Sequence, residues 1–174
     1  WQDGIFWGVH TNQGQFGTRH VDYGHTLKSY WMILQVDKRL DDHPFFDFLD
    51  EHAPTWVQNA YDAVNERWCD QPTSPTENNC NSSWWVYSEE DQIAATLAMG
   101  GHAFLDELEL TAANYIDDFV DDRAAKELVP GVRANGTPWG WPDTSTEKCF
   151  HWKNGFHSVE HALVMYLLSS WRTA

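Results

Sequence analysis

Two histidines, His25 and His157, stand in matching contexts. Tyr23-Gly24-His25 precedes apolar residues at helical spacing (Leu27, Tyr30, Trp31, Leu34). Trp152-Lys153-Asn154-Gly155-Phe156-His157 precedes a second such run (Ala162, Leu163, Met165, Tyr166, Leu167, Leu168, Trp171). Each imidazole therefore falls in the first turn of a predicted helix. A helix start presents unpaired backbone N–H groups and the positive end of the dipole, which favours a neutral imidazole and suits it to act as a base. A third segment, Trp84-Trp85-Val86-Tyr87-Ser88-Glu89, opens a helix with an acid in place of the histidine. Were the three starts to meet at one rim, two imidazoles facing each other across a sugar could remove and return a proton on the carbon next to a carbonyl. Histidine supplies a pKa near the working pH for that task. Trp84, Trp85 and Trp152 would then wall the site, the last two as stacking platforms, and Glu89 or Glu160 would bind hydroxyls. The simpler alternative is a set of capped helices whose histidines only pack.

Composition narrows the partner. The net charge of −15 argues against nucleic acid and anionic membranes, whose phosphates the chain would repel. Eleven tryptophans in 174 residues point to sugars, since an indole face suits the C–H face of a pyranose, although most will fill the core. No apolar run approaches the ~18 residues of a membrane span. The chain opens at Trp1 with neither an initiator Met nor a basic-then-apolar leader, which reads as a processed or truncated start. Cys69 and Cys80 flank a polar loop that a disulfide could staple, while Cys149 stands apart. That pair and the sequons Asn81-Ser82-Ser83 and Asn135-Gly136-Thr137 fit secretion. Without a C-x-x-C pair a zinc site is disfavoured, and no cofactor is expected.

The elements that must position these residues are helical. Residues 1–20 are rich in glycine and aromatics and read as a loop or short hairpin crossing the mouth of the helical body. Asp22 looks like the N-cap of a helix reaching about Arg39. A short turn at 45–49 precedes a helix from Pro54 or Thr55, with Trp56, Val57, Ala60, Tyr61, Val64 and Trp68 on one face. Further helices are expected over 86–105, with Gly100-Gly101 allowing close approach, over 109–122, and over 156–172. Residues 69–83 and 128–150 read as loop insertions, the second too broken by Gly and Pro for regular structure and long enough to be functional. The acidic pairs Asp41-Asp42, Glu89-Glu90, Asp117-Asp118 and Asp121-Asp122 read as solvated faces, with Glu89 alone given a site role. The sum is an all-α, single-domain chain of five or six helices in successive hairpins.

Taken together, Tyr23-Gly24-His25-Thr26-Leu27-Lys28-Ser29-Tyr30-Trp31, Trp84-Trp85-(three residues)-Glu89 and Trp152 to His157 resemble three successive motifs of the N-acylglucosamine 2-epimerase superfamily, which includes cellobiose 2-epimerase and mannose and sulfoquinovose isomerases. Order and spacing match over most of residues 20–172. The resemblance implies an (α/α)6 barrel and cofactor-free epimerisation or aldose–ketose isomerisation through ring opening and an enediol. His25 and His157 would be the acid/base pair, with Trp85, Glu89 and Trp152 contacting the sugar. It also implies a cytoplasmic location, at odds with the cysteine pair and the sequons. Two departures stand out. The family's acidic residue three after the first histidine is Lys28 here, and a cation one turn away would lower the basicity of His25 unless it points outward. The family barrel also needs about twice this length, so the chain reads as a C-terminal half. Its apolar face would need the N-terminal half of the same barrel, or another chain, to cover it.

Three other readings compete. His157-Ser158-Val159-Glu160-His161 fits the H-x-x-E-H pattern of inverted zinc peptidases, yet only thirteen residues remain downstream for a third ligand. A glycoside hydrolase or lyase on the same fold would use Glu89 and Glu160 across the cleft. A non-catalytic sugar-binding or interaction half-barrel is favoured if Lys28 disables His25.

Overall fold

The computed structural model describes residues 1–18, 20–121, 127–139, 153 and 155–173. Five α-helices dominate: α1 (Tyr23–Asp37), α2 (Phe46–Ala60), α3 (Trp84–Met99), α4 (Leu105–Asn114) and α5 (Phe156–Arg172). Helix α3 is the hub, packed against α1 on one side and α5 on another, with α2 and α4 behind it. It is buried almost all round, from Trp84 through Val86 to Ala98. Such burial removes the polar stripe that would mark an amphipathic helix.

Helix α1 starts where its cap dictates. Asp22 is extended (φ −121°), and its side chain accepts from the His25 amide, satisfying one of the free donors of the first turn. Helix α2 begins earlier than the sequence implies and runs unbroken through Pro54. Proline there removes a backbone hydrogen bond. The stripe Leu49, Ala53, Val57 and Ala60, all at most 5% exposed, packs as one surface across it and keeps the helix continuous.

Past Ala60 the expected helix gives way to a hairpin. Strand β1 (Tyr61–Asp62) pairs antiparallel with β2 (Arg67–Trp68). The Asp62 carboxylate accepts from the amides of Val64 and Asn65, closing the turn, and Glu66 takes a left-handed φ of +56°. The helical spacing of Val64 and Trp68 was therefore misleading: Val64 lies in solvent at the turn and Trp68 in the core. Strand β3 (Gln71–Pro72) pairs with β4 (Asn78–Asn79) inside the loop that the Cys69–Cys80 disulfide closes. Strand β5 (Ser82–Ser83) pairs with β6 (Gly131–Val132), so part of the segment expected to lack regular structure is pinned beneath the start of α3.

Gly100 and Gly101 do not sit within a helix. They terminate α3, with Gly101 at φ +103°, a conformation that favours glycine. Helix α4 starts at Leu105 and passes into a wide turn, Tyr115–Phe119, rather than spanning 109–122. The first six residues lie against α1 and α2, and the Gly17 amide donates to the Pro72 carbonyl of β3. The Trp1 indole donates to Tyr30 Oη at 3.1 Å, and Gly4 passes so close to Trp56 that a Cβ there would meet the indole nitrogen.

Helix α5 packs on α3 through His161, Val164 and Leu168 and leaves Phe156, Val159, Leu163, Tyr166, Leu167 and Trp171 exposed. Among the described residues no helix is long and apolar enough to cross a membrane.

Candidate functional site

The first turns of α1, α3 and α5 open on a shared cleft of about 490 Å³ lined by His20, His25, Lys28, Trp85, Glu89 and His157, with Gly24 and Trp84 completing its wall. Gly24 makes the convergence possible. A Cβ there would sit 2.5 Å from the Trp85 ring, so only glycine lets the first turn of α1 touch that of α3. Both imidazoles then meet the same indole, His25 at 4.9 Å and His157 at 5.7 Å between ring centroids. Trp84 is nearly buried beside His157, at 6.4 Å.

Each histidine is held at Nδ1 by a carboxylate. His25 Nδ1 lies 2.7 Å from Asp22 Oδ2, and His157 Nδ1 lies 2.6 Å from Glu89 Oε1. An ionised carboxylate only accepts, so Nδ1 carries the proton in both rings. In the neutral form the lone pair is then on Nε2. Asp22 serves His25 twice, because Oδ1 also caps the His25 amide at 2.7 Å. The pKa of His25 is raised, first by the hydrogen bond its ring donates to Asp22, against the opposing effect of burial.

The loss of basicity expected from Lys28 is therefore corrected, and the lysine does not point outward. Its Nζ lies 2.9 Å from Glu89 Oε2, donates to Gln92 Oε1 at 2.9 Å and to Glu160 Oε2 at 2.5 Å, and sits over the Trp31 ring. Glu89 and Glu160 thus share one ammonium. Glu89, only 2% exposed, divides its oxygens between His157 and Lys28. Trp152 lies outside the described residues, as does Cys149.

Behind the cleft, four consecutive polar residues of α3 are buried: Glu89, Glu90, Asp91 and Gln92. The reading of Glu89-Glu90 as a solvated face is corrected, and Asp121 is buried too. Asp91 accepts from the Trp68 indole at 2.7 Å and Thr111 Oγ1 at 2.6 Å, and its second oxygen lies 2.7 Å from His161 Nε2. Separate carboxylates therefore hold His157 and His161, and Glu160 is bound to Lys28; among the described residues neither histidine falls in a cluster of three metal-ligating groups. Glu90 is wholly buried with neither oxygen hydrogen-bonded, and its pKa is pushed well up by that burial and then by Asp70, Asp91 and Asp22.

Sequence reasoning missed three members of the site. Asp22 was visible only as a cap, Lys28 only as a departure, and His20 carried no signal. A larger groove of about 600 Å³ between α4 and α5 has Leu105, Leu108, Met165 and Leu168 in its lining and Glu109 and Arg172 as its charged groups. It contains no imidazole and none of the paired acids that chemistry would need.

No protein-family model matches the chain, and no curated protein does. Among solved structures, the fold is similar to the crystal structure of a sugar epimerase from a ruminal bacterium, with a TM-score of 0.66 and 19% identity. The match covers 86% of this chain and 38% of that one, so this chain spans well under half the length of that protein. The likeness establishes a sugar-epimerase-like, mainly helical fold.

Proposed function

We propose that the chain carries the proton-transfer site of a cofactor-independent sugar epimerase or isomerase, built on half of an (α/α)6 barrel. One observation carries the reading: two imidazoles with carboxylate-bound Nδ1 atoms touch one indole in one cleft. In the reaction, one Nε2 takes the proton from C2 of the open-chain sugar. The C2–H electron pair becomes the C1–C2 double bond of an enediolate, whose charge lies on the former carbonyl oxygen. The other imidazole, protonated, returns a proton to the opposite face of C2 for epimerisation, or to C1 for isomerisation, in which case the O2 hydroxyl proton passes to O1 as the C2 carbonyl forms. His25, whose pKa Asp22 raises, suits the proton-donating role at neutral pH. Trp85 would stack on the sugar, as would Trp152, while Glu89 orients His157 and Lys28 holds Glu89 and Glu160 in place.

The epimerase likeness of the fold supports this reading, as do the three helix starts at one rim. The exposed stripe on α5 supports a further set of helices, from the N-terminal half of such a barrel or another chain, covering that face. A hydrolase is disfavoured because Glu89 and Glu160 meet on one ammonium and do not face each other across the cleft as a free acid and base.

The test is proton NMR of reducing mono- and disaccharides incubated with the protein in deuterated water, alone and with any covering partner. Expected are solvent deuterium at C2 and inversion or ketose formation without bond cleavage. His25→Asn and His157→Asn should each slow exchange by about 10²–10⁴-fold. Cleaved glycosidic bonds, or exchange indifferent to both substitutions, would overturn the proposal.

A further inference from the structure

We propose that His20, Asp22 and His25 form a seat for a single transition-metal dication of the zinc class at the edge of the cleft. The three side chains each offer a ligand atom, and these atoms lie within 4.8 Å of one another. Two imidazoles and one carboxylate make a donor set suited to zinc, with positions left open toward the cleft that His20 and His25 line.

Backbone contacts position all three residues. His20 takes a left-handed φ of +60°, a strained conformation for a residue with a side chain, and such strain persists where the surroundings enforce it. Gly8 enforces it: its amide donates to the His20 carbonyl at 3.3 Å, and a Cβ at Gly8 would lie 2.6 Å from His20 Cβ. The His20 ring is thereby set edge-on to His25, with centroids 5.4 Å apart. Asp22 is fixed from the other side by its bond to the His25 amide, which leaves Oδ2 2.7 Å from His25 Nδ1. Tetrahedral ligands on one ion with bonds of about 2.0–2.2 Å stand roughly 3.3–3.6 Å apart, so Asp22 Oδ2 and His25 Nδ1 part by less than about 1 Å to admit it. An entering ion bonds to Asp22 Oδ2, to His25 Nδ1 and to a His20 nitrogen; a neutral His25 ring moves its proton from Nδ1 to Nε2, and a protonated one releases its Nδ1 proton to solvent. The other such cluster among the described residues, Asp62 with Cys69 and Cys80, has both sulfurs in the disulfide and is not a rival.

Occupancy would withdraw His25 from proton transfer, so the ion would act as an inhibitor of the proposed reaction. That consequence rests on the proposed function, whereas the seat does not. The experiment therefore reads binding and turnover separately. Zinc chloride is titrated into the protein by calorimetry at neutral pH, and histidine ring resonances are followed by NMR. Expected is one ion per chain, with the His20 and His25 resonances shifted and those of His43 and His52 unmoved. His20→Ala and Asp22→Ala should each weaken binding at least tenfold, and His43→Ala should not. Absence of saturable one-to-one binding, shifts at other histidines in the unsubstituted protein, or indifference to His20→Ala would overturn the seat. Binding without slowed deuterium exchange would leave the seat standing and remove His25 from the reaction.

Discussion

Asp22 divides its labour between its two oxygens, one capping α1 and the other polarising the ring of His25. Asparagine caps a helix about as well as aspartate, so Asp22→Asn separates the two roles. The variant should keep its helix content while the His25 titration, followed by NMR, falls toward the ordinary histidine value of about 6.5. The sign of the accompanying stability change is set by the direction of the shift. A histidine pKa raised by folding contributes stability that is full below about pH 6.5 and is lost as pH rises through the folded-state pKa. Denaturant midpoints of the two proteins should therefore differ in mild acid and converge in mild alkali; a gap that widens with pH would refute the pairing. At this scale the sequence revealed side-chain chemistry but not partners. His25 and His157 were legible because glycine, aromatic and imidazole recur before apolar runs. The bond from His157 to Glu89 joins residues 68 apart and depends on how α5 lies against α3. Asp22 was legible as a cap, because capping is local, whereas its ring contact depends on a rotamer that no sequence pattern encodes.

Among the elements, the disulfide and the hairpin above it decide how α2 hands the chain to α3. Cys69 and Cys80 close a short loop, and chain-entropy arguments assign such a crosslink roughly 3 kcal/mol. The Cys69→Ser, Cys80→Ser double variant should lose about that much in urea unfolding, with the loss chiefly in midpoint and not in slope; an unchanged midpoint would deny the crosslink its role. Helices α1 and α5 were legible because each has apolar residues at helical spacing directly after its glycine, aromatic and histidine start. The hairpin at 61–68 was not, because its aromatics fall by coincidence at helical spacing and the turn rests on one aspartate side chain. Helix α3 was legible in its existence but not in its polar core, since burial of Glu89 to Gln92 depends on what surrounds it.

For the molecule as a whole, the exposed stripe along α5 predicts association. Leu163 and Tyr166 are 55% and 68% exposed and stand outside the hydrophobic core. The Leu163→Glu, Tyr166→Glu double variant should retain its helix content and weaken self-association, or binding to a covering partner, at least tenfold in sedimentation velocity. Equal sedimentation of both proteins at every concentration would remove the stripe as an interface. Its presence was legible from α5's own residues, because its apolar positions are too many for one buried face. Which of them α3 covers was not, since that is set by the approach of two distant segments. Glu90, lodged in the hub helix with three aspartates near it, has a whole-molecule consequence too. Folding favours the uncharged form of that carboxyl, so disordered chains bind less hydrogen ion there than native ones at pH values above the normal glutamate range. Melting should accordingly acidify an unbuffered solution, and the heat absorbed should differ between phosphate and Tris by the buffers' own protonation enthalpies.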